Sequence, residues 1–144
     1  MSWIDDRIKQ RDEAFRRSVL IEAAAEKIFN HLWEAITPLV EEAAKKEILV
    51  FTNGTPYERV IGLSVVPRHL QRSVEPKLLT LKLEKEKHAI MVLGMRQPIQ
   101  LELDLAGGDV VYLKYDGKQV TIGEVATSIL DAFLFPEVTK SPFS

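Results

Sequence analysis

The run Ile99-Gln100-Leu101-Glu102-Leu103-Asp104-Leu105 decides the fold. Its aliphatic residues alternate strictly with polar ones. Successive side chains of a strand point to opposite faces, so the pattern predicts a strand with one buried and one wet face. Such one-sided strands belong to antiparallel sheets, because strands of a parallel sheet are buried on both faces and read as continuous apolar runs. Outward from this segment the chain keeps turning back on itself. Ala106-Gly107-Gly108-Asp109 is a turn, residues 110–115 return, and Asp116-Gly117 is a hairpin dipeptide before a short strand at Gln119-Val120.

Upstream, residues 89–95 and 77–83 read as strands about a charged turn at 84–87, with Leu79, Leu81 and Leu83 on one face. Residues 67–76 read as a polar loop. Residues 57–66 and 48–51 read as a hairpin, with Asn53-Gly54 as its turn and Gly62 as a bulge site. Short connections make neighbours antiparallel, which gives six or seven strands.

Helices flank this sheet. Residues 5–46 are rich in Ala, Glu, Lys and Arg, all good helix formers. Ile21, Ala25, Ile28, Phe29, Leu32, Ile36, Leu39, Val40 and Ala43 recur every three or four residues and share one helix face. Thr37-Pro38 interrupts the run. Proline lacks an amide and clashes with the carbonyl four residues back, so two helices or a sharp kink are expected there. Near the other end, Thr121-Ile122-Gly123-Glu124 has capping-box spacing. It opens a helix over 123–135 whose face is Ile122, Val125, Ala126, Ile129, Leu130, Phe133 and Leu134, with Pro136 as the stop. Residues 136–144 read as a tail.

The expected fold is therefore α+β and a single domain over residues 1–144. Long or kinked N-terminal helices and one C-terminal helix pack on a twisted antiparallel sheet, with the core over 21–135. The layout is similar to secretion-chaperone-like and helix-grip folds in architecture alone. No residue motif ties the chain to either, and such a layout does not specify a function.

Residues 1–20 stand apart. Their apolar positions Ile4, Ile8, Phe15 and Val19 lie roughly a quarter-turn round the helix from the Ile21–Ala43 stripe at about 100° per residue. Arg7, Lys9, Arg11, Asp12, Glu13, Arg16 and Arg17 surround them. A straight helix from 5 to 36 would be about 48 Å long, more than a small domain of ~30 Å can cover. This segment either folds back or projects. Trp3, Ile4, Ile8, Phe15 and Val19 are accordingly the candidate interface, whereas Trp33 falls beside the core stripe as packing.

Composition narrows the function classes. The chain has 144 residues, 46% hydrophobic and 28% charged, with net charge −2. This suits a globular protein and disfavours a dedicated nucleic-acid binder. No apolar run approaches the roughly 18 residues that cross a bilayer, and no leader pattern is seen, so the expected setting is the cytoplasm without a membrane partner. The absence of cysteine removes disulfides, thiolate metal sites and a cysteine nucleophile. No phosphate-loop glycine pattern and no nucleophile-elbow motif occurs.

His31, His69 and His88 are too dispersed for a zinc pair. Arg68, His69 and Arg72 sit together in a loop and form a candidate anion site, because arginine forks match carboxylates and phosphates. The more ordinary reading of that loop is exposed charge. Residues 57–88 carry net charge +3 and residues 101–144 carry −4. This predicts charge pairing across the sheet, or between two subunits. Glu102, Asp104 and Asp109 read as the wet face of an amphipathic strand and its turn.

No reaction is legible here. The leading expectation is a non-enzymatic module that self-associates as a homodimer or binds a protein partner. The alternative is a small-molecule-binding domain or enzyme with a pocket between sheet and helices, carried by Arg68, His69 or Arg72. A nucleic-acid site on the 77–87 hairpin ranks third. No cofactor and no metal are expected. Dialysis against a chelator is therefore expected to leave the melting temperature unchanged, and a large fall would reveal a structural metal.

Overall fold

A computed structural model describes residues 2–45, 49–55, 57–64, 77–95 and 97–135. Helix α1 spans Trp3–Lys45. Seven strands follow: β1 Leu49–Gly54, β2 Glu58–Ser64, β3 Lys77–Glu84, β4 Ala89–Leu93, β5 Ile99–Ala106, β6 Val110–Tyr115 and β7 Lys118–Val120. Helix α2, Ile122–Leu134, ends the described fold. The strands form one antiparallel meander in the order β1 to β7, so every strand pairs with its sequence neighbour. This is the expected α+β architecture.

The core lies between one face of the sheet and the two helices. Leu79, Leu81, Ile90, Val92 and Leu101 from the sheet meet Ala25, Phe29, Leu32 and Ile36 of α1 and Val125, Ile129 and Phe133 of α2, all buried. On the opposite face Lys82, Gln100 and Glu102 are exposed, in keeping with the alternation of β5. Thr121 caps α2 as its spacing predicts, its hydroxyl accepting from the Glu124 amide at 3.1 Å.

Three local expectations are corrected. First, of the two outcomes expected at Thr37-Pro38, separate helices or a kink, separate helices are set aside, because one helix runs through the pair. A proline inside a helix costs about 3 kcal/mol. Here Glu34, Thr37 and Pro38 all face solvent, so the carbonyl deprived of its donor is open to water. The Thr37 hydroxyl donates to the Trp33 carbonyl at 2.9 Å. Beyond the proline, Val40 and Ala43 are buried, and fully burying a single valine is worth about 1.5–3 kcal/mol. That burial holds the last turns on the body despite the proline.

Second, Asn53-Gly54 ends β1 instead of forming its turn. Gly54 is still paired with Arg59, and the turn closes one step later through Thr55 and Glu58. Third, Gly62 makes no bulge, since its register with Phe51 and Leu78 is unbroken. Glycine is sterically required at Gly54, where a Cβ would meet the Glu58 carbonyl, and at Gly94. The φ of Gly94 is +107°, and a Cβ there would run into the Leu78 backbone carbonyl. At Asp116-Gly117 both φ values are positive, 50° and 80°, as the hairpin dipeptide demands.

The expected loop at 67–76 and the tail at 136–144 lie outside the described residues. Among those described, no helix is long and apolar enough to cross a membrane.

Phe133 is 3% exposed beneath α2. Phe133→Ala is expected to cost about 3–5 kcal/mol and to lower the melting temperature by many degrees. A change of only a degree or two would contradict the packing of α2 on the sheet.

Candidate functional site

Helix α1 is longer than the sheet it covers. Its 43 residues make a rod of about 64 Å. Seven strands spaced by about 4.8 Å span roughly 29 Å. The apolar stripe that meets the core begins at Ile21, and residues 2–16 are all exposed. The N-terminal segment therefore projects as an arm, and the fold-back alternative is set aside.

Its apolar side chains are uncovered: Trp3 is 73% and Phe15 71% exposed, with Ile4, Ile8 and Val19 exposed as well. The flanking charges are paired along the helix itself, Arg11 with Asp12 at 3.3 Å and Arg16 with Glu13 at 3.0 Å. Such exposed pairs are worth little individually, typically ~0.2–1 kcal/mol.

A polar collar fixes the arm where it leaves the body. Arg16 donates to Asp109 in the β5–β6 turn at 3.0 Å, and Arg17 donates to Asp104 at 2.6 Å. Asp104 lies past the last β4 partner of β5, which is Glu102. The Leu105 amide donates to the same oxygen as Arg17, Oδ1, at 2.8 Å, and Lys114 on β6 donates to Oδ2 at 3.0 Å. The Lys114 hydrogen bond, followed by that of the Leu105 amide, holds the Asp104 carboxyl below its ordinary value. Asp104 in turn raises Lys114. The hydrogen bonds that Arg16 donates to Glu13 and then to Asp109 raise its guanidinium above its ordinary value.

One turn on, Ser18 Oγ lies 3.1 Å and Glu22 Oε1 3.8 Å from His88 Nε2. His88 holds a left-handed backbone, φ 51°, after the short 3-10 turn Lys85–Lys87. Serine, histidine and carboxylate suggest acyl-transfer chemistry, but both partners meet the same ring nitrogen. No relay can run from Glu22 through the ring to Ser18, so this is a docking contact. Further along, Glu26 accepts from Tyr57 at 3.0 Å and from Lys85 at 3.4 Å, and the Arg59 guanidinium stands 5.5 Å over the Trp33 ring.

These contacts revise the expected pattern of charge. Within the sheet Glu58 faces Lys82 and Glu102 faces Lys114, pairs made inside a hairpin or between neighbours of like origin. The acidic β5–β6 hairpin is answered chiefly by arginines of α1, and the basic Lys85 by Glu26 of α1. Helix and sheet balance one another. Arg16 and Arg17 read in sequence only as charges around a thin stripe, and no local signal pairs residues about ninety positions apart.

Arg68, His69 and Arg72 lie outside the described residues. His31 is exposed. Among the described residues no three His, Asp or Glu side chains gather as metal ligands would. Among the described residues the layers are packed, with Ala25, Leu32, Ile36, Leu79 and Leu81 fully buried between them. Of the described hollows outside the layers, a shallow one runs along the arm beside Lys9, Gln10, Glu13, Ala14 and Arg17, and two lie beside α2. One, about 280 Å³, is an apolar groove between α1 and α2 lined by Leu39, Ala43, Leu130, Leu134 and Phe135, with Glu42 and Asp131 at its rim. The other, about 670 Å³, is an open, more polar dish along the β6–β7 hairpin and the start of α2. No protein-family model, curated protein or solved structure matches this chain.

The Asp104 cluster generates a pH prediction. A carboxyl held below its ordinary value of 3.8 contributes stability that is complete above that value. The contribution disappears as pH falls through the lowered pKa. Asp104→Asn is expected to lower the melting temperature at pH 7 by about 2–4 °C, for a cost on the order of 1 kcal/mol. The two proteins are expected to converge as acid protonates the Asp104 carboxyl and both side chains become neutral. A gap that persists unchanged in acid would assign the effect to something other than the carboxylate.

Proposed function

We propose that this protein is a non-enzymatic interaction module that self-associates through its N-terminal arm. The observation that carries the reading is the exposure of Trp3, Ile4, Ile8, Phe15 and Val19 on a helix that has already left its own core. Isolated helices of this length are marginal in water, and a helical arm gains stability when its apolar side is covered. A second copy is the commonest cover, and two-fold pairing the commonest arrangement.

The area is modest. Aromatic residues bury about 150–250 Å² each, so two arms laid together hide on the order of 1,000 Å². That sits near the floor for specific association. The collar supports the same reading, because anchoring the root of the arm reduces the entropy lost on pairing.

Light scattering or sedimentation tests this directly. The parent chain is expected to be a dimer at tens of micromolar. Ile8→Asp with Phe15→Asp is expected to be monomeric and fully folded, since neither side chain touches the core, with its melting temperature lowered only by the few degrees that loss of self-association costs. A parent that stays monomeric at high micromolar concentration would overturn the proposal.

A further inference from the structure

Residues seven apart on a helix lie within about 20° of one another. Ile8, Phe15 and Glu22 therefore share a face, as do Val19, Glu26 and Trp33. The uncovered stripe of the arm is the forward continuation of the face on which Glu22, Glu26 and Trp33 meet His88, Lys85, Tyr57 and Arg59. From Glu22 onward that side of α1 is met by the strand-end turns of its own body, and Val19 is the last uncovered position before them. A helix laid along the stripe must stop there.

We infer that the arms of two copies pair antiparallel, with Ile8 of one packed against the partner's Phe15 and Ile4 against the partner's Val19. This rests on the reading of the arm as the self-association surface and adds its geometry. Parallel pairing would bring two bodies to the same end of the seam, each with its strand-end turns on the side where the other helix must run. Helices in contact lie only about 8–10 Å apart, which leaves no room for both. Antiparallel pairing sends the bodies to opposite ends, and each arm's N-terminus stops where the partner's body begins.

The spacing suits this arrangement. Ile4, Ile8, Phe15 and Val19 are separated by four, seven and four residues, so the stripe reads the same in both directions about a midpoint between Arg11 and Asp12. Two arginines and two aspartates then gather at the two-fold axis with no net charge. Trp3 stands about 100° round the helix from Ile4, on the side that faces the sheet further along α1. Symmetry places it beside the partner's 3-10 turn. Asp5 and Asp6 in the first turn of the arm then come near Lys87, which is 75% exposed and paired with Glu84 of its own turn. Opposed helix dipoles add to the preference.

The chain contains no cysteine, so engineered thiols report the register cleanly. Ile8→Cys and Phe15→Cys are prepared as separate single variants of the full chain, mixed, allowed to exchange and oxidised. Antiparallel pairing places positions 8 and 15 of different chains side by side. Two copies of position 8 are then about 10 Å apart along the axis, beyond disulfide reach. The mixed disulfide is expected to exceed either homodisulfide at least about tenfold. Homodisulfides of either single variant in equal or greater yield would show parallel arms and overturn the inference. A parent dimer that yields none of the three disulfides would overturn it too, leaving self-association standing. A monomeric parent in the accompanying scattering measurement would instead overturn the reading on which the inference rests.

Discussion

The structure depends on one contact, the stripe of α1 from Ile21 to Ala43 against the inner face of the sheet. A meander of seven strands has one apolar face and, without a lid, would leave it wet. Phe29, Leu32 and Ile36 close that face, and α2 completes the cover with Val125, Ile129 and Phe133. The two helices then have no choice of side. Whatever part of α1 extends past the strands leaves the core altogether, so the arm follows from a mismatch between the length of the rod and the width of the sheet. The collar at Asp104 and Asp109 marks the point where hydrophobic cover ends and polar anchoring takes over.

The parts of this fold that could be read from sequence are those set by short-range periodicity. The alternation of Ile99 to Leu105 fixed a one-sided strand, and the three-four spacing from Ile21 to Ala43 fixed a helix face, because burial acts on every second or every third to fourth residue. Asp116-Gly117 placed a hairpin because two positive φ angles are needed there. Local rules misled where tertiary contacts outweighed them. Thr37-Pro38 reads as a break, yet burial of Val40 and Ala43 keeps the helix going. Asn53-Gly54 reads as a turn, yet pairing with Arg59 extends the strand past it.

The candidate surface divides along the same line. The stripe Ile4, Ile8, Phe15 and Val19 could be found because its direction departs from the core stripe, and an angular offset is a property of sequence alone. The collar could not. Arg16 meets Asp109 and Arg17 meets Asp104 only because α1 passes the free end of β5, which depends on the topology of the whole sheet. In the same way Ser18, Glu22 and His88 carry no shared local pattern, and their contact exists only once the β3–β4 connection curls against α1.

The sequential order of the strands also bears on how the molecule comes to be assembled. Each strand pairs with the next one synthesised, so the sheet can grow strand by strand without a crossover, a topology that favours rapid folding. Helix α1 is made before any of its cover exists, and α2, which packs along it, is made after the last strand. The slow closure is therefore the meeting of the two helices across the intervening sheet, with the entropy of a loop of that length opposing it. Until then the stripe at Ile21–Ala43 is as exposed as the arm itself, and the two apolar tracks lie end to end on one helix. During that interval nascent chains have a second, unwanted surface by which to stick together. The quarter-turn offset between the tracks limits the hazard, because a helix paired with one of them cannot follow the other.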